Sequence, residues 1–166
     1  MRITIERAKK SDAPAMLDYL RQIGGETDNL TFGAEGLPFS VDSEAEYLEK
    51  AGNSQDNIIL LAKENGKIVG DASLCRLPRR MSHRGELGIS VLAAYWNKGI
   101  GSRLLNEILD FAKESSYDVV DLEVRSDNLH AIHLYEKFGF TKIGSHPLFF
   151  KIDGKYISFD YMCLKL

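Results

Sequence analysis

The sequence predicts an α/β (α+β) chain, a mixed sheet with helices on its faces, and three observations carry that expectation. Segments with period-two apolar alternation and segments with 3.6-residue spacing follow one another in the order β-α-α-β-β-β-α-β-α-β-β. Two apolar runs meet at Glu64-Asn65-Gly66-Lys67, and Asn-Gly between such runs is a strong hairpin signal. The 166 residues, 44% hydrophobic and 27% charged, suit one domain over residues 1–166 whose core needs no staples.

The elements follow in order. ITIERA (3–8) alternates as a first strand, and SDAPAMLDYLRQIGG (11–25) reads as a helix. Ser11 or Asp12 can cap it, Pro14 suits its first turn, Met16, Leu17, Leu20 and Ile23 form the stripe, and Gly24-Gly25 is expected to stop it. ETDNLTFGAEGLPFSVD (26–42) has no clear period, and connections this long in a compact domain are often functional, so it is either a substrate lid or an idle link. SEAEYLEKAG (43–52) reads as a short helix, capped by Ser43 with Glu46 three residues on. The Asn-Gly hairpin follows, then a basic loop RLPRRMSHR (76–84), a strand GELGISVL (85–92), a glycine-led helix, a strand DVVDLEVR (118–125) and a helix NLHAIHLYEKFGF ending at Gly139. The C-terminal residues form two strands about Asp153-Gly154.

Several function classes fall away. No apolar run approaches the roughly 18–20 residues of a membrane span, and the N-terminus alternates instead of forming a signal-peptide core, so a cytoplasmic protein is expected. The net charge of −3 argues against a general nucleic-acid binder. The basic loop reads as a solvated hairpin turn or an anion contact. Cys75 and Cys163 stand far apart without CxxC spacing, inside strand-like runs that raise thiol pKa, so neither a disulfide framework nor a thioester route is expected. His130 and His133 are three apart on one helix, but no third ligand accompanies them, and no metal is expected.

The segment YWNKGIGSRLLNEILDFA (95–112) raises the functional question. Each glycine in a helical turn costs roughly 0.5–1 kcal/mol relative to alanine, so Gly99 and Gly101 imply a need for bare backbone. A helix N-terminus exposes unpaired N–H groups and about half a positive charge, so glycines there admit an anion, with Lys98 and Arg103 nearby; a tight turn packed on a strand is the structural alternative. The Gly-Lys-Ser/Thr of a P-loop is absent. A dinucleotide fingerprint would need glycine where Leu104 stands and a strand directly before it, although Asp121 and Glu123 lie at about the right distance.

ISVLAAYWNKGIGSRLL, LEVRSDNLHAIHLYEKFGF and their spacing resemble the GNAT superfamily of acyl-CoA-dependent N-acyltransferases, and in order of elements the resemblance spans nearly the entire chain. It implies a GNAT-like, mostly antiparallel central sheet of about seven strands flanked by about four helices, with acetyl-CoA as cosubstrate. The family's pyrophosphate loop is written Q/R-x-x-G-x-G/A, and Trp96 occupies the Q/R slot here. By resemblance, backbone groups of Ile89, Ser90 and Val91 pair with the pantetheine arm like an added strand. Asn97, Lys98, Gly99, Ile100, Gly101 and Ser102 cradle the pyrophosphate, and Asn128, also a natural helix cap, contacts the cofactor. Tyr135 matches the tyrosine that protonates the leaving thiolate; a phenol of pKa ~10 can serve a thiolate near ~8.5 when held beside it. The structural alternative for Tyr135 is a core position with Leu134 and Phe138.

Transfer to nitrogen requires a neutral amine, which costs a lysine-type amine of pKa ~10.4 about 4 kcal/mol at neutral pH but an α-amine near ~7.8 only about half a kcal/mol. Glu86 and Glu123 stand where relatives carry a base acting directly or through water; solvent-facing strand positions are the alternative. The resemblance implies an acyltransferase acting on a small-molecule amine or a protein N-terminus. The acceptor would lie between the long N-terminal connection and the C-terminal strands, against Phe32, Phe39, Phe149, Phe150 and Tyr156, with Glu26 and Asp28 suiting a cationic acceptor. A non-catalytic acyl-CoA-binding sensor is the competing reading. Many members of the superfamily pair as homodimers, which the resemblance leaves open here.

Overall fold

The structure, a computed structural model, describes residues 2–166. Its elements are β1 (Ile3–Arg7), α1 (Ala13–Glu26), α2 (Val41–Asn53), β2 (Ile58–Glu64), β3 (Lys67–Arg76), β4 (Arg84–Val91), α3 (Ile100–Glu114), β5 (Val119–Arg125), α4 (Leu129–Lys137), β6 (Thr141–Ile152) and β7 (Lys155–Lys165). The order matches the sequence expectation. The strands form one seven-stranded sheet in the order β1-β2-β3-β4-β5-β7-β6, antiparallel throughout except where β4 and β5 run parallel.

The two hairpin turns behave as their residues dictate. Asn65 and Gly66, and again Asp153 and Gly154, all have positive φ, as a two-residue turn matched to the twist of its strands requires. Helices cover both faces of the sheet. Tyr19 of α1 reaches Asp71 of β3, whereas a Cβ at the preceding Gly70 would meet Ile100 of α3, and successive strand residues point to opposite faces. The α3 stripe of Leu104, Leu105, Ile108 and Ala112 is fully buried and anchors the core on that side.

Three local expectations are corrected. Gly24 and Gly25 do not stop α1, which runs on to Glu26. A Cβ at Gly24 would lie 2.1 Å from the Gly33 carbonyl oxygen, so this glycine lets the 27–40 connection cross the helix closely. Helix α2 starts earlier than expected because Ser40, not Ser43, caps it: Ser40 Oγ accepts from the Ser43 N–H at 3.1 Å. Asp12 occupies the N-cap position of α1, but its carboxylate accepts from the Lys9 N–H at 2.9 Å and Lys63 Nζ at 2.7 Å instead of capping the helix.

Candidate active site

The sheet opens in its middle. Strands β4 and β5 pair only at Arg84–Val119, Gly85–Val120 and Glu86–Asp121, while β3–β4 and β5–β7 remain paired along their length. Beyond Glu86, the stretch of β4 through Ile89, Ser90 and Val91 has β3 on one side and no strand on the other. The Leu92 N–H bonds to the Val69 carbonyl across β3, and antiparallel ladders alternate the direction of their backbone groups. Ser90 therefore turns its backbone toward β3, and only Ile89 and Val91 turn theirs toward the gap. Trp96 Nε1 donates to the Val91 carbonyl at 2.7 Å, confirming the direction and taking that acceptor.

Trp96 thus closes the loop between β4 and α3. Two left-handed residues shape that loop, Asn97 at φ +59° and Gly99 at φ +76°, the latter being the N-cap of α3. A Cβ added at Gly99 would meet nothing within 4 Å, so open space lies over this backbone. At Gly101 a Cβ would come 3.2 Å from Leu134 Cδ2, so this second glycine serves the close approach of α4. The first intrahelical bond runs from the Arg103 N–H to Gly99 O, which leaves the N–H groups of Ile100, Gly101 and Ser102 at the helix mouth. The expected cationic help is turned away from that mouth: Lys98 Nζ donates to Ala94 O at 2.8 Å, and Arg103 donates to Ile3 O at 3.2 Å.

Helix α4 flanks the same mouth. Asn128 Oδ1 accepts from the Ala131 N–H at 3.3 Å and so caps α4, and the His130 ring stacks on Trp96 with centroids 6.1 Å apart. His133 is exposed. Tyr135 is only 6% exposed and packs on Phe140, and its hydroxyl has no hydrogen-bond partner among the described residues. Burial pushes this phenol well above its ordinary pKa, so it stays protonated.

Where β4 and β5 part, Glu86 and Glu123 stand on one exposed sheet face, on neighbouring strands. Burial, and then the Glu86 charge, push the Glu123 carboxyl up. Burial and Glu86 likewise push up the thiol of Cys75, which lies opposite Glu86 on β3 and is poorly suited to act as a thiolate. Other expected contributors are dispersed. Glu26 accepts from the Ala93 N–H at 2.8 Å and is no free loop charge. In the basic loop, Arg76 pairs with Asp56 at 2.9 Å and Arg84 with Asp121 at 2.7 Å. Phe149 and Phe150 cluster on Phe159, Phe32 packs on the core, Tyr156 is exposed on β7, and Phe39 lines a cavity under α1 and α2.

The model of the Acetyltransferase (GNAT) family matches residues 26–140, well over half of the chain. The chain belongs to the GNAT acetyltransferase family. The N-alpha-acetyltransferase RimI of Mycobacterium tuberculosis is 40% identical over 102 residues, which cover 61% of this chain and 63% of RimI. The L-amino acid N-acetyltransferase AaaT of Escherichia coli is 32% identical over 106 residues, covering 62% of this chain and 65% of AaaT. The alignments therefore span somewhat less than two thirds of these curated relatives. A solved GNAT-family acetyltransferase from Streptococcus pneumoniae is 32% identical and superimposes with a TM-score of 0.95 over 99% of this chain and 100% of that one. The GNAT family uses acetyl-CoA, and the residues present fit it: bare, open backbone at Gly99 for a phosphate, and backbone groups of Ile89 and Val91 facing the sheet gap for an amide arm. Among the described residues no helix is long and apolar enough to cross a membrane.

Three features of this GNAT chain escape sequence reasoning: the half-buried cluster of Tyr19, Asp71 and Ser90, the buried Glu44, and the Trp96 bond to β4. A signal for Glu44 is present, since it lies four and seven residues before Leu48 and Ala51 on the buried stripe of α2. Asp71 carries a comparable signal as a carboxylate set among Ile68, Val69, Ala72 and Leu74 of β3.

Proposed function

We propose that this chain, as one GNAT domain over residues 1–166, transfers the acetyl group of acetyl-CoA directly to the primary amine of a small molecule or a protein N-terminus, in the cytoplasm. The parting of β4 and β5 carries this reading, because it leaves a free backbone edge on β4 beside Glu86 and ahead of the α3 helix mouth, a setting that supports an acetyl-CoA site with Glu86, Glu123 and Tyr135 around it. RimI and AaaT, whose names denote an N-alpha-acetyltransferase and an L-amino acid N-acetyltransferase, support an amine acceptor.

Acetyl-CoA supplies the activated thioester. The N–H groups of Ile100, Gly101 and Ser102 bind the pyrophosphate at the positive end of α3, and Ile89 and Val91 hold the pantetheine arm along β4. Glu123 or Glu86, directly or through water, takes the proton that the ammonium must lose before its nitrogen can bond to the acetyl carbon. As the carbon–sulfur bond breaks, the Tyr135 hydroxyl donates its hydrogen bond, and then its proton, to sulfur, and the second proton of the nitrogen, released as the amide forms, restores the phenol. Burial keeps this phenol protonated and available as a hydrogen-bond donor but also makes it a weaker acid, so the proton passes to sulfur only once negative charge has developed there. Asn128 caps α4 and thereby orients Tyr135.

The decisive experiment has two parts. Acetyl-CoA at about a hundred times its dissociation constant should add roughly 2.7 kcal/mol to stability, a rise in Tm of roughly 5–10 °C, while NAD should add nothing. Tyr135→Phe should then lower kcat by about a hundredfold or more while acetyl-CoA binding changes little. An acyl-CoA-binding sensor would respond to acetyl-CoA yet acetylate no amine, and unchanged turnover in Tyr135→Phe would remove the tyrosine from the mechanism.

A further inference from the structure

Beside the opening in the sheet lies a chamber that the transfer mechanism does not use. It has a volume of about 440 Å³ and sits between α1, α2 and strands β2 and β3. Met16, Leu20, Leu37, Phe39 and Ile59 make most of its wall apolar. Two carboxylate residues, Glu44 and Asp71, also line it, and among the described residues no lysine or arginine does.

Glu44 is the anomaly. It is 3% exposed, yet its carboxylate has no hydrogen bond and no ion pair among the described residues. Its backbone needs no such side chain, since the Glu44 N–H already bonds to Ser40 O and Ser40 supplies the cap of α2. Leucine at this position would continue the stripe of Leu48 and Ala51, whereas the Glu44 oxygens, unpaired yet not among the fully buried atoms, face the water-accessible chamber. Asp71 is only partly supplied: the hydroxyls of Ser90 and Tyr19 both approach its Oδ1, the latter at 3.4 Å, and neither approaches Oδ2.

The register connects this chamber to the reacting centre. Asp71 lies opposite Ser90 and Ser73 opposite Gly88, both on the part of β4 that has no β5 neighbour. Glu86 follows two residues from Gly88 on the same face. A molecule spanning the chamber would thus present one end to the opening and the other to Glu44.

We infer that this chamber is the acceptor pocket and selects an amine bearing a second cationic group on an apolar spacer, the second cation lying between Glu44 and Asp71 while the reacting amine reaches the opening beside Glu86. This rests on the acetyl-transfer reading above. The absence of a cationic side chain from the wall disfavours a free amino acid, whose carboxylate would have no partner and would face two acids.

The test uses 1,5-diaminopentane and n-pentylamine, which share a spacer and differ in the second cation. Binding of each to the full-length protein saturated with coenzyme A is measured by calorimetry, followed by kcat/KM with acetyl-CoA. Wild type should prefer the diamine by about tenfold or more, since a charge-assisted bond to a buried carboxylate is at stake. Glu44→Gln should bring that ratio toward one, by loss of diamine binding, with coenzyme A affinity unchanged. Asp71→Asn provides the same test independently should Glu44→Gln fail to fold. Coenzyme A binding without a diamine preference, or a preference that survives both substitutions, would overturn the acceptor assignment and leave acetyl transfer standing. Failure to bind coenzyme A at all would overturn both.

Discussion

Asp71 offers a quantitative check on the energetics of this site. Burial, opposed by hydrogen bonds from Ser90 and Tyr19, raises its carboxyl from 3.8 to about 6. A carboxyl whose folded pKa lies above its unfolded value binds more protons in the native state throughout that interval. Its ionisation therefore removes stability as pH rises from about 4 to about 6, and the loss is complete above that window. The interval from 3.8 to about 6 corresponds to roughly 3 kcal/mol at 1.36 kcal/mol per pH unit. Asparagine does not titrate, and because both hydroxyls approach Oδ1, the amide oxygen can keep both contacts. Asp71→Asn should match wild type near pH ~3.5 and exceed it by up to roughly 3 kcal/mol near pH ~7.5, or roughly 6–12 °C in Tm. Urea unfolding of the two proteins across that range reads the difference directly. A variant less stable than wild type at neutral pH, with an unchanged pH slope, would refute the reasoning, since the hydroxyls would then be worth more to the carboxylate than burial costs it.

Two further predictions follow from the same geometry. Gly99→Ala forces a side chain into the left-handed region and should cost roughly 1–2 kcal/mol of stability and weaken acetyl-CoA binding, whereas Gly101→Ala, at a helical φ with only Leu134 to displace, should cost less; equal losses in thermal melts would contradict the division of labour between the two glycines. The acidic limb of the kcat/KM–pH profile should lie above the ordinary carboxylate range, because burial and Glu86 both raise Glu123; it should move to lower pH in Glu86→Gln and disappear in Glu123→Gln, and a limb indifferent to both would exclude this pair as the base.

The elements were legible because their signals are local. Asn65-Gly66 and Asp153-Gly154 dictate their turns, and the stripe of α3 permits only one buried face. The resemblance was legible because Gly99, Gly101, Asn128 and Tyr135 sit at fixed spacing along 37 residues of α3, β5 and α4 and the turns between them (from 99 to 135, ends included). Helix boundaries were less so. Ser40 and Ser43 are equivalent as local caps, and only the path of the 27–40 connection selects Ser40. Gly24 reads as a stop in sequence, yet its purpose is contact with Gly33, nine residues away. The partners of Lys98, Arg103 and Glu26 were equally hidden, because each is a backbone group that composition does not reveal. Glu44 and Asp71 escaped notice because an acid on a helix or strand is ordinarily solvated, and only the packing of α1 and α2 over β3 buries Glu44 and half-buries Asp71.

The opening between β4 and β5 explains why so many unfavourable choices gather in one region. A sheet that parts after three pairs leaves backbone donors and acceptors of β4 without a strand partner, and such groups are nearly always satisfied in native proteins. The ladders on either side, β3–β4 and β5–β7, are continuous and hold the two halves in register, so the opening is a fixed feature of the sheet. The protein fills one vacancy itself, with Trp96 on the Val91 carbonyl, and that bond also brings the left-handed turn at Asn97 and Gly99 against the end of β4. Under the proposed function, the edge that remains at Ile89 and the Val91 N–H takes the amide-bearing arm, and the helix mouth takes the pyrophosphate. Trp96 is thus more than a departure from the Q/R position of the loop. It exchanges a polar side chain that would face the ligand for one that fastens the loop to β4 and stacks on His130 at the start of α4. Under the proposed function this loop is thereby braced by its own chain before acetyl-CoA arrives, which keeps the ordering cost of binding low.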